Sequence, residues 1–454
     1  MPVERFPPPG RRTMAESTRD PNLSVAQRMR SDWNERARED AFYFVAFGRR
    51  NQTEAEFLAT SADVVHGLET ELKRLPPADR RDRRALEIGC GPGRLMAPMS
   101  WTFGEIHGVD VSDEMIRLAM RGLHDIPNAF PRLTRGTDLK CYGDDMFDFV
   151  YSYAVFQHIP SREIVLGYLA DARRVLKDDG ILRCQVNGLP KTAKAYTTWE
   201  GIRLDAAELA EFACSHDMQL LAVQGLHTQY MWTTMRKRPQ GWFEDLAARQ
   251  PEAHARIRRV TNSHSGEPAV PAFGRFASFS IWVEAFPEDA DLNTIGVVVD
   301  EHEAAPVFIG PKGADGLQQV NVMMPPGMRT GVVEVELHWF GKPIAEPSWV
   351  RVIPPGPAVP RLVTMTDGVN LLSKEEISSR SVKLCFEELD TPDRVEVRVD
   401  GASVGALDQF CTDPVNQSFE FNFRLPPDTR TGAHKIEISI GARHLPPLPV
   451  EVVD

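Results

Sequence analysis

Ala85-Leu86-Glu87-Ile88-Gly89-Cys90-Gly91-Pro92-Gly93-Arg94 is the stretch on which the fold turns. A short apolar run with one acid reads as a strand, and three glycines at alternate positions follow it directly. Glycines remove Cβ atoms, so a loop can turn tightly and its backbone can approach a ligand. A dinucleotide fingerprint places glycines at the first, third and sixth loop positions, and here the sixth is Arg94. The loop is therefore of another kind, acidic-x-Gly-x-Gly-x-Gly.

Working outward, Ile106-His107-Gly108-Val109, Phe147-Asp148-Phe149-Val150 and Ile181-Leu182-Arg183-Cys184 are further short apolar runs separated by helix-like segments. Strands spaced by helices imply βαβ units and a largely parallel sheet. Leu220-Leu221-Ala222-Val223 and Tyr230-Met231-Trp232-Thr233 lie close together and predict an antiparallel edge. Upstream, Trp33, Ala37, Ala41 and Val45 fall on one helical stripe, and Pro76-Pro77 ends that region. The reading is an α/β, doubly wound, seven-stranded sheet over residues 24–240. Residues 1–23, rich in Pro, Arg and Ser, read as disordered, with Met1 or Met14 as the start.

The C-terminal half has another grammar. Residues 241–275, punctuated by Pro251, Pro268 and Pro271, read as a linker. From Phe276 onward the period changes to two, as in Ser278-Phe279-Ser280-Ile281-Trp282-Val283. Met324-Pro325-Pro326-Gly327-Met328-Arg329-Thr330-Gly331 recurs 101 positions later as Leu425-Pro426-Pro427-Asp428-Thr429-Arg430-Thr431-Gly432. A repeat of about 100 residues with many short strands is the size of an immunoglobulin-like sandwich. Two all-β sandwiches are expected, 276–356 and 357–454, joined near Pro354-Pro355-Gly356-Pro357.

Charge divides the chain at the same place. Of 64 acidic and 52 basic residues, residues 1–240 hold 33 of each, leaving 31 and 19 for the rest. The second part carries the whole charge of −12, which argues against nucleic-acid backbone binding there. No run approaches the roughly 20 apolar residues that a bilayer requires, and no secretory h-region is visible. Six cysteines without a CxxC pair give no support for a zinc site and fit reduced, cytoplasmic thiols, so no metal is expected.

The glycine loop and its surroundings resemble class I S-adenosylmethionine (SAM) methyltransferases. Glu87-Ile88-Gly89-Cys90-Gly91-Pro92-Gly93 is similar to their motif I. Asp110 ends the next strand at about the distance where an acid accepts ribose hydroxyls; alternatively it caps the helix that starts at Ser112. Phe147-Asp148-Phe149-Val150 resembles their fourth strand, and Gly136-Thr137-Asp138-Leu139 the segment that contacts adenine, although Thr137 stands where the family more often has an acid. Trp33-Asn34-Glu35-Arg36-Ala37 is similar to the N-terminal helix that folds over SAM. The resemblance covers about residues 30–240 and implies cofactor contacts from Glu87, Gly89, Cys90, Gly91, Gly93, Asp110, Val111, Met115, Asp138, Leu139 and Ser152.

Ser152-Tyr153-Ala154-Val155 is unlike the Asn/Asp-Pro-Pro-aromatic run of amino-group DNA or glutamine methylases, and no Pro-Cys nucleophile is present. The resemblance is thus to the type-11 group, bacterial enzymes among them, which acts on small molecules, lipids and sugars. His158 is the histidine nearest the expected reaction point, and an ordinary imidazole pKa of about 6.5 suits proton removal; it can equally cap the turn before Pro160. Tyr153 can face the sulfonium through ring electrostatics, or simply pack. Tyr196, Trp199 and Arg203, after the fifth strand, are the candidate substrate wall. Leu317-Gln318-Gln319-Val320-Asn321-Val322 and the Pro-Pro-Gly after it are similar to bacterial immunoglobulin-like repeats. The expectation is a methyltransferase acting on O or N of a small molecule, with the sandwiches as an interaction or homodimerisation module. The alternatives are a glycan, lipid or protein acceptor held by the sandwiches, or a SAM-binding scaffold without turnover.

Overall fold

The computed structural model describes residues 24–46, 50–191, 196–356, 358–371, 373–413 and 417–453. The expectation of a disordered segment at 1–23 lies outside the described residues. Three helices come first, α1 (Val25–Ala46), α2 (Glu54–Ala59) and α3 (Ala62–Leu72). Asp40 breaks α1, and its carboxylate accepts the backbone N–H groups of Tyr43 at 3.1 Å and Asn51 at 2.9 Å. Thr53 and Glu56 form a reciprocal capping box at the start of α2.

There follow β1 (Arg84–Ile88), α4 (Met96–Met99), β2 (Glu105–Asp110), α5 (Asp113–Gly122), β3 (Ala129–Leu133) and β4 (Phe147–Ser152). Then come α6 (Arg162–Val175), β5 (Leu176–Val186), α7 (Ala206–Ser215), β6 (Met218–Gln224) and β7 (Met231–Lys237). The strands pair in the order β3-β2-β1-β4-β5-β7-β6. The first five are parallel, and β7 runs antiparallel to both neighbours. Successive residues of a strand point to opposite faces. Leu86, Val150 and Leu182 therefore join the core under α6, while Ala85, Phe149 and Ile181 join the one under α3 and α4. Burial on both faces is why these strands read as unbroken apolar runs.

The sheet does not stop at seven strands. The chain continues through α8 (Trp242–Arg249), β8 (Arg256–Asn262), β9 (Ala269–Pro271), β10 (Ser278–Glu284), β11 (Ile295–Val299) and β12 (His302–Ala304). It goes on through β13 (Pro306–Ile309), β14 (Leu317–Met323), β15 (Gly331–Trp339), β16 (Lys342–Pro343) and β17 (Ser348–Ile353). Strand β13 pairs antiparallel with β6, Phe308 opposite Ala222, so β13-β14-β10-β8 extend the first sheet to eleven strands. A second layer, β12-β11-β15-β17-β9, packs across this extension. Two expectations are corrected here. The β6–β7 hairpin pairs as read, but β13 covers it and it is no edge. The stretch 241–275 is not a linker: Trp242, Leu246, Val260 and Val270 are buried in the core of the first all-β unit. Its prolines suggested a loop, yet Pro271 ends a three-residue strand at the margin of the layer, where a missing N–H costs little.

The second all-β unit also has two layers. One is ordered Arg361–Asp367, Ser381–Glu387, Ser418–Arg424, Ala406–Asp413. The other is ordered Glu376–Ile377, Leu448–Val452, Gly432–Ile440, Val395–Val399, Ala402–Val404. The 101-residue repeat is structural as well. Gly331 and Gly432 each open a nine-residue strand, both at φ 125°, a conformation that favours glycine. All six cysteines are free thiols, and Cys385 and Cys411 lie on strands separated by a third. Among the described residues no helix is long and apolar enough to cross a membrane.

Candidate active site

A cavity of about 230 Å³ opens at the C-terminal ends of β1, β2 and β4, where open α/β sheets bind ligands. The glycine loop forms its floor. Gly89 stands at φ 74°, and a Cβ there would come within 2.3 Å of the Val155 side chain. Gly91, at φ 52°, donates its N–H to Asp110 Oδ2 at 2.9 Å, and Ser112 N–H binds Asp110 Oδ1 at 2.8 Å. Asp110 lines the cavity while bracing the loop and the turn into α5, whose N-cap is Ser112 rather than Asp110. Burial pushes its carboxyl up to about 6 against those hydrogen bonds.

Glu87, Cys90, Val111 and Met115 line the same space. Glu87 is buried, accepts the Tyr151 hydroxyl at 3.0 Å, and is pushed up by that burial to about 8. Gly93 lies off the cavity, its Cβ position 2.7 Å from Leu123 Cδ1, so it serves the packing of the loop against α5. Three further expected cofactor contacts sit elsewhere. Asp138 turns back to the N–H of Lys140, and Leu139 is fully buried with its N–H on Asp171 at 2.7 Å. Ser152 is buried too and donates to the Ile88 carbonyl at 2.9 Å. Thr134 and Gly136 line that wall instead. Gly136 stands at φ 82°, with its Cβ position 2.5 Å from Val111, a signal the sequence held in a glycine two residues before Asp138.

Helix α1 covers the cavity with Met29, Trp33, Phe44 and Val45. Arg30 donates to the carbonyls of Val111 at 3.0 Å and Thr134 at 2.8 Å, and Asn34 accepts the Ser112 hydroxyl at 2.7 Å. These contacts stitch the cover to the loops after β2 and β3.

At the other end stand Tyr153 and His158. Tyr153 stacks on Trp232, centroids 5.5 Å apart and planes 5° apart. His158 Nδ1 lies 2.9 Å from the Trp199 carbonyl, so that nitrogen carries the proton and Nε2 keeps its lone pair, 3.3 Å from the Gln157 amide nitrogen. Burial, helped by the Arg36 charge, pulls the imidazole down to about 4. The expected substrate wall is a strap rather than a lining. The Thr198 hydroxyl accepts Arg36 at 3.1 Å, and Gly201 N–H binds the Gln157 carbonyl at 2.7 Å. Tyr196 packs beside the main core, Trp199 is half exposed, and the Arg203 guanidinium is paired with Glu200. Arg203 is therefore not free to hold an acidic substrate. Residues the sequence reading did not assign, among them Thr60, Arg94, Gln157, Tyr168 and Tyr230, also line it.

Residues 86–184 match the family model described as a methyltransferase domain. The chain carries a methyltransferase domain. A ubiquinone biosynthesis O-methyltransferase of Cereibacter sphaeroides is 33% identical over 113 residues, 24% of this chain and 43% of that protein. Phosphoethanolamine N-methyltransferase 2 of Caenorhabditis elegans is 35% identical over 81 residues, 17% of this chain and 18% of that protein. The Haemonchus contortus phosphoethanolamine N-methyltransferase 1 structure is 14% identical, with a TM-score of 0.35 over 47% of this chain and 49% of that one. The chain thus spans less than half the length of these curated relatives. Two features of the cavity suit S-adenosylmethionine, the methyl donor that the sequence resemblance implies. The floor is glycine where a side chain would collide with Val155, and a carboxylate stands at the tip of β2 for a ribose diol.

Proposed function

We propose that this protein methylates an oxygen or nitrogen nucleophile of a small molecule. The observation that carries the reading is the continuity of one cavity from Gly89, Gly91 and Asp110 to Tyr153 and His158. The chemistry the cofactor brings when bound is an electrophilic methyl on a sulfonium sulfur. In this reading Asp110 accepts the ribose hydroxyls, and Gly89 and Gly91 lie beneath the amino-acid end. The Tyr153 ring presents its negative face to positive charge at the reacting end. His158 Nε2 exchanges the Gln157 amide for the hydrogen bond of the acceptor O–H or N–H and takes its proton as the methyl carbon passes from sulfur to the acceptor. Helix α1, braced from behind by the 196–203 strap, covers the cavity and excludes water, and most of the rate comes from positioning the acceptor there. Relatives named for quinone biosynthesis and for phosphoethanolamine support a small acceptor.

The lowered pKa of His158 gives the proton role a sign. A group held at about 4 is neutral throughout the neutral range, so methyl transfer should show no loss near an ordinary imidazole pKa of about 6.5 from this residue. An acid limb at that pH that disappears in His158→Gln would contradict the assignment of its state. Screening an acceptor library for S-adenosylhomocysteine release tests the reaction itself; the expected result is turnover with one class of hydroxyl or amine. Binding of S-adenosylhomocysteine without turnover on any acceptor would favour a scaffold.

A second reading gives the all-β units, taken as immunoglobulin-like modules, a share in holding the acceptor. It is supported by Tyr230, which lines the cavity and whose hydroxyl is pushed up chiefly by burial, then by Tyr153, and least by the Glu420 carboxylate of the second unit. A chain ending at residue 356 separates the two. Unchanged KM with the acceptor favours a separate interaction module, and a raised KM with unchanged cofactor affinity favours the shared site.

A further inference from the structure

Arg94 closes the glycine loop, yet the cofactor reading above gives it no task. Its side chain is 6% exposed and lines the cavity. Nη1 donates to the Thr60 carbonyl at 2.9 Å and to the Thr60 hydroxyl at 3.1 Å, which fixes the guanidinium in place. The guanidinium carbon lies 5.7 Å from the centre of the Tyr153 ring. Its Nε is buried and has no hydrogen-bond partner among the described residues. The carboxyl that acts on it is Glu87, which already takes the Tyr151 hydroxyl and is pushed up to about 8. Burial favours the neutral form of that acid, and among the described residues Arg94 forms no ion pair. Such a buried charge is costly unless a ligand completes it.

We propose that Arg94 is the carboxylate-binding residue of this cavity, and that the amino-acid carboxylate of the bound cofactor is its counterion. The proposal rests on the cofactor reading of the cavity. A planar guanidinium with a free Nε–H suits a carboxylate, and the fixed Nη1 leaves that N–H at a set position. An acid group on the methyl acceptor would offer the same chemistry.

The test compares S-adenosylhomocysteine with 5′-methylthioadenosine, which keeps the adenosine and the thioether sulfur but lacks the amino acid. Both are titrated calorimetrically into the full chain and into Arg94→Gln and Arg94→Lys. The expected result is a loss of about 10- to 100-fold for S-adenosylhomocysteine in Arg94→Gln, a smaller loss in Arg94→Lys, and unchanged methylthioadenosine affinity. Retained methylthioadenosine binding also reports that each variant is folded. If S-adenosylhomocysteine affinity is unchanged but benzoate no longer shifts the melting temperature of the loaded protein, the carboxylate comes from the acceptor. Equal losses for both nucleosides, or no change with either nucleoside or benzoate, overturn the proposal. Failure of S-adenosylhomocysteine to bind the unmodified chain would instead sink the cofactor reading beneath it.

Discussion

The two all-β units share a repeat and a two-layer build, but they meet the rest of the molecule differently. The first continues the catalytic sheet. Backbone pairing joins β13 to β6, Leu292 N–H binds the Leu220 carbonyl at 2.9 Å, and Gln219 donates to the carbonyls of Glu288 at 2.7 Å and Ala290 at 2.9 Å. Arg74 of the methyltransferase part lies 5.3 Å from the centre of the Phe308 ring. The second unit follows a Pro-rich joint, and Glu387 ties it to Arg275 by a partly exposed ion pair. A strand added to an open edge removes a row of unpaired backbone groups, whereas an exposed ion pair contributes about 0–1 kcal/mol. One repeat has become part of the sheet that carries the cavity. The other remains a neighbour.

The largest test of this contrast is truncation. A chain ending at residue 245 loses β13 and bares β6, and it should be insoluble or unfolded by size-exclusion chromatography and circular dichroism. A chain ending at residue 356 should stay folded and bind S-adenosylhomocysteine. A soluble, cofactor-binding product from the shorter chain would break the comparison. Next in size is Phe308→Ala, expected to cost about 3 kcal/mol in urea unfolding and to lower the melting temperature of the methyltransferase part. Leu384→Ala, in the core of the second unit, should cost a similar amount while leaving cofactor binding intact. Gln219→Ala leaves the buried Ala290 carbonyl and the partly buried Glu288 carbonyl without their donor and should cost about 1–3 kcal/mol in the same assay. Arg275→Ala should stay below about 1 kcal/mol, and a larger effect would mean that the second unit is docked more firmly than its ion pair suggests.

The order of strand and helix through residue 240 was legible in the sequence because buried parallel strands are apolar on both faces. The repeat was legible because Gly331 and Gly432 serve the same turn. The seam between the parts was not. Period-two strands declare which face is buried but not which edge they pair with, and β13 is only four residues long, beginning at Pro306. The site divides the same way. Gly89 and Gly91 were legible because positive φ demands glycine there, and Asp110 because its carboxylate accepts the N–H groups of Gly91 and Ser112 at the strand end. Asp138, Leu139 and Ser152 were misplaced because the turn after β3 brings Thr134 and Gly136 to the wall instead. Arg203 looked like a substrate contact until Glu200, three residues earlier, was seen to hold it.

The central claim is that the cavity over Gly89 and Asp110 holds S-adenosylmethionine, and calorimetric titration of S-adenosylhomocysteine into the full chain tests it most directly. The account predicts saturable one-site binding at about pH 7.5 that falls by about 5- to 150-fold in Asp110→Ala. Asp110 titrates at about 6 in the free protein, and its ionised form is the acceptor of the ribose hydroxyls. Affinity should therefore hold above that pH and decline as the pH falls through about 6, a decline absent from Asp110→Ala. No binding by the unmodified chain, or equal affinity in Asp110→Ala, would contradict the account.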